Sequence, residues 1–165
     1  MKRINFLYVL TFLLLAVGCT SFEQKKNEKI SKEFYETYAE RKDINKFMDF
    51  YASDAQLIDA VPQMITTGKE NIKTLFDWSD PNYKKHPDFP KSLKINEILA
   101  NDSVAAISGE YNPYYYNDKL IKKMPFCTWL YFNKEGKIKK QVEWDQYPPD
   151  VLREIIQFKE TVQIK

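Results

Sequence analysis

A helical pattern that leads into a short acid-bearing strand, within residues 30–72, constrains the fold more than any other part of this chain. Ile30, Phe34 and Tyr38 recur every four residues, so they share one face of a helix. We expect this helix to cover about residues 28–41. Its apolar face has to be buried against the segments that follow it in the chain.

The next two elements place one carboxyl group on an apolar strand. Asp43 is a suitable N-cap for a second, short helix. Residues 55–60 then alternate, so that Leu57 and Asp59 point to one side and Gln56 to the other. An isolated ionised carboxylate on such a face is costly, which predicts a raised pKa for Asp59 and suits a general base. The alternative is that Asp59 lies in water and caps the turn after the strand.

The second half of the chain is rich in strand patterns. Thr67 and Glu70 have the spacing of a capping box, which predicts a third helix from Gly68. The predicted strands that follow are residues 93–99, 104–115, 126–132 and 138–144, and a last amphipathic helix ends the chain. Helices that precede an antiparallel sheet indicate an α+β fold, a cone in which the N-terminal helices cover the concave face of a curved sheet. Such a cone encloses a pocket.

Two tyrosines and two further acids are candidates for that pocket. Tyr35 and Tyr38 are three positions apart, so only one of them can point fully into it. Glu143 and Asp145 share one face of the last strand, and a β-bulge would decide whether that face turns inward. If both turn inward beside Asp59, repulsion keeps at least one of the three carboxyl groups protonated.

The stretch from Tyr35 to Ile72 resembles the SnoaL-like and ketosteroid isomerase-like branch of the nuclear transport factor 2-like superfamily. The resemblance implies an oxyanion-binding role for Tyr35 and a general-base role for Asp59. It also implies an acid–base role for Asp145, whose position is similar to that of an aspartate in some SnoaL-like cyclases. Thr128 stands where the isomerases have a second acid. Since a threonine cannot act as a carboxylic acid, steroid isomerisation is not expected.

These observations define the predicted site. The predicted catalytic residues are Asp59, Tyr35 and Asp145. The predicted ligand-binding residues are Tyr38, Phe76, Phe126, Thr128, Leu130, Glu143 and Trp144. With two cysteines and one histidine the sequence offers no zinc cluster, and no metal or other cofactor is expected.

The first 18 residues have the pattern of a lipoprotein signal peptide. Lys2 and Arg3 precede an apolar segment, residues 6–17, that is too short for a comfortable membrane span. The segment runs into Gly18 and Cys19, which resembles a bacterial lipobox and makes Cys19 the expected lipidation site. The alternatives are an ordinary signal peptide and an uncleaved anchor.

Removing the signal peptide leaves a chain without net charge, because Lys plus Arg falls from 25 to 23 and equals the 23 acids. No nucleic-acid partner is therefore expected. We expect residues 19–27 to be a lipidated tether and residues 28–165 to be one domain, anchored in the bacterial cell envelope.

The expected function is the binding of a small, partly apolar molecule, with acid–base catalysis of the isomerase, cyclase or hydratase type. The alternative is a non-catalytic module that forms a homodimer or binds another envelope protein. A continuous cavity that reaches Asp59 favours the first function, whereas a cavity filled by Phe126, Leu130 and Trp144 favours the second.

Overall fold

The computed structural model describes residues 21–163, so the predicted signal peptide and Cys19 lie outside the described residues. The first helix, α1 (Phe22–Glu40), begins earlier than the predicted residue 28. The reason is that Ser21 caps it, accepting a hydrogen bond from the Gln24 N–H at 3.0 Å. Most of the predicted tether is therefore helical.

The second helix is α2 (Ile44–Met48), and the prediction that Asp43 caps it is confirmed. The Asp43 Oδ1 atom accepts hydrogen bonds from the N–H groups of the second and third residues after it, both at 3.0 Å. Phe34 of α1 stacks on Phe47 of α2, with 4.8 Å between the ring centroids. This contact fixes α2 against α1 at the start of the hydrophobic core.

A sheet of six strands follows the helices, and the fold is α+β as predicted. In spatial order the strands are β2 (Met64–Thr67), β1 (Tyr51–Asp59), β9 (Ile138–Asp145), β8 (Met124–Phe132), β5 (Val104–Tyr111) and β4 (Leu93–Ala100). All neighbouring strands are antiparallel except β1 and β9, which are parallel. The predicted antiparallel sheet is wrong at this pair, because the first and last long strands lie side by side and run in the same direction.

A second sheet of three short strands was not expected from the sequence. Its order is β3 (Tyr83–Lys85), β6 (Tyr114–Tyr116) and β7 (Lys119–Ile121). The segment predicted as one strand over residues 104–115 is divided between β5 and β6, because Pro113 has no N–H group to donate to a strand ladder.

The helix α3 (Lys69–Thr74) begins where it was predicted, but not through the predicted capping box. Gly68 occupies the N-cap position with a φ of 90°, and no side chain caps the helix. Thr67 is the last residue of β2, so its side chain is not placed to reach the N–H groups of α3. The capping box of Thr67 and Glu70 is therefore wrong.

A β-bulge sets which side chains of β9 face the interior. Tyr131 of β8 pairs with Lys140, and the next residue, Phe132, pairs with Ile138. Lys139 is therefore an extra residue in β9 without a partner in β8. Because of this extra residue, Ile138 and Gln141 are both buried. From Gln141 onward the strand alternates regularly, so its two acids follow on the inner face and Trp144 lies on the outer face.

The last helix, α4 (Pro149–Gln163), packs near the turn between β1 and β2, where the Lys159 Nζ atom donates to the Pro62 carbonyl at 3.0 Å. Across residues 21–163, none of the helices has both the length and the apolar character needed to cross a membrane.

Candidate functional site

A cavity of about 680 Å³ lies between the C-terminal end of α1, the inner face of the sheet and α4. Aromatic rings form much of its wall: Tyr38, Phe76, Tyr83, Tyr111, Tyr114, Tyr116 and Tyr147. Phe47 separates the cavity from the core, since its ring contacts both Tyr38 and Phe76 at centroid distances of 5.1 and 4.9 Å. The aromatic walls suit a small, partly apolar ligand.

Three carboxyl groups meet in this cavity. Asp59 ends β1 and is the direct register partner of Glu143 on the neighbouring strand β9, and Asp145 follows on the same inner face. Asp59 and Asp145 are only 8 % and 7 % exposed. No ion pair joins any of the three to a basic side chain in residues 21–163.

Asp59 is held by two donors. The Tyr147 hydroxyl donates to Asp59 Oδ2 at 2.5 Å, and the Val61 N–H donates to Oδ1 at 3.3 Å. Burial raises the pKa of Asp59, and the two hydrogen bonds lower it by a smaller amount. The direction is the one expected from the sequence, and the hydroxyl that opposes it belongs to Tyr147.

The carboxyl group of Asp145 has fewer hydrogen-bond donors around it than that of Asp59. Burial is the main cause that raises its pKa to about 7, and the neighbouring Asp59 charge adds to the effect. A hydrogen bond with Tyr147 acts in the opposite direction. The Oδ1 atom of Asp145 is buried and has no hydrogen-bond partner among the described residues. Near neutral pH this carboxyl group is therefore able to exist in both protonation states.

Glu143 is fixed by a short chain of hydrogen bonds. The Tyr51 hydroxyl donates to Gln141 Oε1 at 2.6 Å, which leaves the Gln141 Nε2 group to donate to Glu143 Oε2 at 2.6 Å. Burial, followed by the charges of Asp145 and Asp59, holds the pKa of Glu143 well above its usual range. Burial and the two neighbouring charges thus favour the protonated form of Glu143, the direction expected if all three acids turned inward.

The structure brings together only part of the predicted site. Asp59, Asp145, Glu143, Tyr38 and Phe76 line the cavity. The other predicted residues do not, and they belong to the core or to the outer surface: Tyr35, Phe126, Thr128, Leu130 and Trp144.

Tyr35 and Trp144 are the two clearest corrections. The Tyr35 hydroxyl is engaged with Thr128, and its ring stacks on Phe126 at 5.5 Å, so rotation of α1 points Tyr38 into the cavity instead. Trp144 is 43 % exposed, because the bulge in β9 turns its face outward. Neither residue is placed to contact a ligand in the cavity.

The sequence reasoning missed much of the cavity wall, including two residues that contact its acids or its rim, Tyr147 and Arg41. Tyr147 lies past the end of β9, where strand alternation gives no guidance. Arg41 is the C-cap residue directly after α1 and has a left-handed φ of 52°, so helical periodicity does not place its side chain. The Arg41 guanidinium lies 4.1 Å from the ring centroid of Tyr83 and 5.8 Å from that of Trp78, and it donates to the Asp77 carbonyl at 3.3 Å.

No protein-family model and no curated protein matches this sequence. Solved structures do match. A protein from Kribbella flavida, provisionally named a ketosteroid isomerase, is 14 % identical, with 77 % of this chain and 84 % of that chain covered and a TM-score of 0.57. A provisionally named SnoaL-like polyketide cyclase from Shewanella putrefaciens is 15 % identical, with 73 % and 89 % covered and a TM-score of 0.60.

The chain has the nuclear transport factor 2-like fold, since a protein from Burkholderia xenovorans described as NTF-2 like also matches it, at 16 % identity with 78 % of this chain and 88 % of that chain covered and a TM-score of 0.60. An epoxide hydrolase from M. tuberculosis adds a further match at 11 % identity, with 75 % of this chain and 85 % of that chain covered and a TM-score of 0.60. The resemblance seen in the sequence is thus confirmed at the level of the fold. At these identities the likeness carries the fold alone, because this fold supports several unrelated activities.

Proposed function

We propose that the nuclear transport factor 2-like domain binds a small, partly apolar molecule and performs acid–base catalysis on it. The observation that carries the proposal is the buried Asp145 Oδ1 atom, which has no donor among the described residues, beside the Asp59–Tyr147 pair in an open cavity. The cavity is not filled by Phe126, Leu130 or Trp144, which is the condition that favoured ligand binding over a blocked interior.

The three acids divide the roles between them. Asp145 is the proton acceptor and donor, because its pKa of about 7 keeps both forms available at neutral pH. Asp59 is the sequence-based candidate for this role, but two donors already occupy it, so it acts with Tyr147 to orient the substrate and pass a proton. Glu143, held protonated, donates a hydrogen bond to a developing negative charge.

The names of the similar structures support catalysis as a class of function. They denote an isomerase, a cyclase and an epoxide hydrolase, which are enzymes of three different reaction types. Their low identity to this chain gives no substrate. The proposal therefore names a proton-transfer step and not a particular product.

Base-promoted ring opening of 5-nitrobenzisoxazole tests the proposal without knowledge of the natural substrate. A base takes the C–H proton, the N–O bond breaks, and a coloured cyanophenolate leaves. We expect a saturable rate that rises with pH through about 7. Asp145→Asn should lower the rate by about 100-fold or more, the usual contribution of a positioned base. Asp59→Asn should lower it by a smaller factor.

The matched control is Asp54→Asn, since Asp54 is an exposed acid of the same strand as Asp59 and lies outside the cavity. It should keep the full rate. A wild-type rate no higher than that of Asp145→Asn would refute the catalytic proposal.

We also propose that the chain is a lipoprotein of the cell envelope, anchored through Cys19. The support is the sequence alone: a basic pair, a short apolar segment, and a cysteine that directly follows Gly18. A diacylglyceryl-cysteine supplies the two acyl chains that stable anchoring requires.

A second candidate function is self-association through the outer face of the sheet. Each strand of the six-stranded sheet contributes one apolar residue to a row that crosses the sheet, in which each residue is paired with the next: Ile65, Ile58, Val142, Trp129, Ala106 and Leu99. Ile65, Leu99 and Trp129 are 67 %, 63 % and 43 % exposed. Such a row on a solvent-facing sheet indicates a contact surface.

The partner that best fits this row is a second copy of the chain. Six strands at a spacing of about 4.8 Å and a length of about 26 Å give a face of roughly 750 Å². A standard interface covers about 800 Å² on each side, so the face and its rim suffice. We expect a dimer in sedimentation equilibrium and a monomer for Trp129→Glu. A wild-type chain that stays monomeric at about 100 μM would remove this candidate.

A further inference from the structure

We propose that the ligand of this cavity is an organic cation, an amine with apolar substituents, whose positive charge lies against Asp145. The inference rests on the proposed small-molecule function and names the substrate class of that same site. Three observations carry it: the balance of charges around the cavity, a buried carboxylate oxygen without a donor, and the aromatic wall.

The charges that line the cavity are strongly unequal. Among the described side chains, the lining acids are Asp59, Asp77, Asp80, Glu143, Asp145 and Glu154, and the lining base is Arg41. Arg41 lies at the mouth of the cavity, where its guanidinium contacts the ring of Tyr83 and donates a hydrogen bond to the Asp77 carbonyl. Hydrogen bonds from Ser79 are the main cause that lowers the pKa of Asp77, and the Arg41 charge adds a smaller effect, so Asp77 and Arg41 offset each other at the rim.

The inner acids are therefore left without a counter-ion. Asp145 is more than nine-tenths buried, and its Oδ1 atom has no donor within the part of the chain that the structure describes. The groups that interact with it are acids or phenols from the surrounding elements: Asp59 of β1, Glu143 of β9, Tyr147 beyond it, Tyr35 and Tyr38 of α1, Tyr111 of β5 and Tyr114 of β6. A buried carboxylate of this kind requires either a proton or a cation.

The wall indicates which kind of cation fits. Tyr38, Phe76, Tyr111 and Tyr147 present aromatic rings around the acids, and the faces of such rings attract ammonium groups. Among residues 21–163 no group of acids, histidines or cysteines is arranged to hold a metal ion. A hydrated metal would also gain nothing from the rings. An ammonium group with apolar substituents uses both the carboxylates and the aromatic surface.

Two compounds of nearly the same shape test the charge directly. Choline carries a quaternary nitrogen where 3,3-dimethylbutan-1-ol carries a quaternary carbon. Isothermal titration calorimetry on the full-length chain in detergent at pH 8 should show choline binding at least tenfold more tightly than the alcohol. At pH 5 the affinity for choline should fall at least tenfold, because protons then occupy the acids. Near pH 7, choline binding should release protons into the buffer.

Asp145→Asn provides the specific variant, because the amide keeps the shape of the side chain and removes its charge. It should abolish the preference for choline and leave the affinity for 3,3-dimethylbutan-1-ol within about threefold. Asp54→Asn, outside the cavity, should behave as the wild-type chain. Equal affinity for both compounds, no choline binding, or a preference that survives Asp145→Asn each overturns the inference.

Choline binding and 5-nitrobenzisoxazole turnover test the two proposals independently. Turnover of 5-nitrobenzisoxazole without choline binding would overturn the cation inference and leave the proton-transfer function standing. Choline binding without turnover would retain the ligand class and refute catalysis.

Discussion

Asp145→Asn should make the protein more stable at neutral and alkaline pH, which is an unusual result for a buried polar residue. In the wild-type fold the pKa of Asp145 is about 7, compared with 3.8 for an ordinary aspartate. The folded state therefore binds more protons than the unfolded state between these two values. As pH rises through this window, the wild-type chain loses stability, whereas the amide has no proton to lose.

The size of the effect follows from the same two values. The difference from 3.8 to about 7 is about 3 pH units, and at about 1.4 kcal/mol for each unit it amounts to about 4 kcal/mol. The free energies of unfolding of variant and wild type should be close below pH 4, where the acid is protonated and resembles the amide. By pH 8 the variant should be more stable by about 4 kcal/mol. The raised pKa values of Glu143 and Asp59 act in the same direction in the wild type.

Equilibrium urea unfolding, followed by tryptophan fluorescence at each pH unit from 4 to 8, measures the difference. Asp54→Asn is the matched control, because an exposed acid should change the free energy of unfolding by less than about 0.5 kcal/mol at every pH. A constant offset between Asp145→Asn and wild type across this range would refute the burial argument. A loss of stability in the variant at pH 8 would refute it as well.

Three further predictions concern other parts of the chain. Asp43→Ala should cost about 1 kcal/mol of stability in urea unfolding, because two N–H groups of α2 lose their acceptor, whereas Thr67→Ala should cost less than about 0.5 kcal/mol. Gly109→Ala should cost about 1–3 kcal/mol, since a Cβ atom there would lie 2.6 Å from both the Lys94 carbonyl oxygen and the Phe126 ring; no loss of stability would mean that β5 can shift. Cys19→Ala should abolish both the palmitate labelling of the chain and its partitioning into detergent. Labelling that persists in this variant would exclude a lipid on Cys19.

The parts of the site that depend on local periodicity could be predicted from the sequence. Alternation along β1 placed Leu57 and Asp59 on one face and Gln56 on the other, and the structure has the first two buried and Gln56 exposed. The raised pKa of Asp59 followed from that placement. Both conclusions require only the chain within a few residues of the acid.

The parts that depend on how elements meet could not be predicted. The choice between Tyr35 and Tyr38 stayed open, because the apolar spacing of α1 favours Tyr38 whereas the family resemblance favours Tyr35. The rotation of α1 relative to the sheet decides it in favour of Tyr38. The outward position of Trp144 depends on one extra residue, Lys139, that breaks the alternation of β9. Tyr147 reaches Asp59 from a segment without regular periodicity, over 88 positions along the chain.

The first helix also determines where a ligand would enter. With the proposed lipid on Cys19, α1 begins only three residues later at Phe22, which is 79 % exposed and therefore able to enter the bilayer surface. The 19 residues of α1 extend about 28 Å, and Arg41, at the far end, lies at the cavity mouth. If α1 runs away from the bilayer, the cavity opens about 28 Å from the proposed anchor, and a solute would reach it from the aqueous compartment.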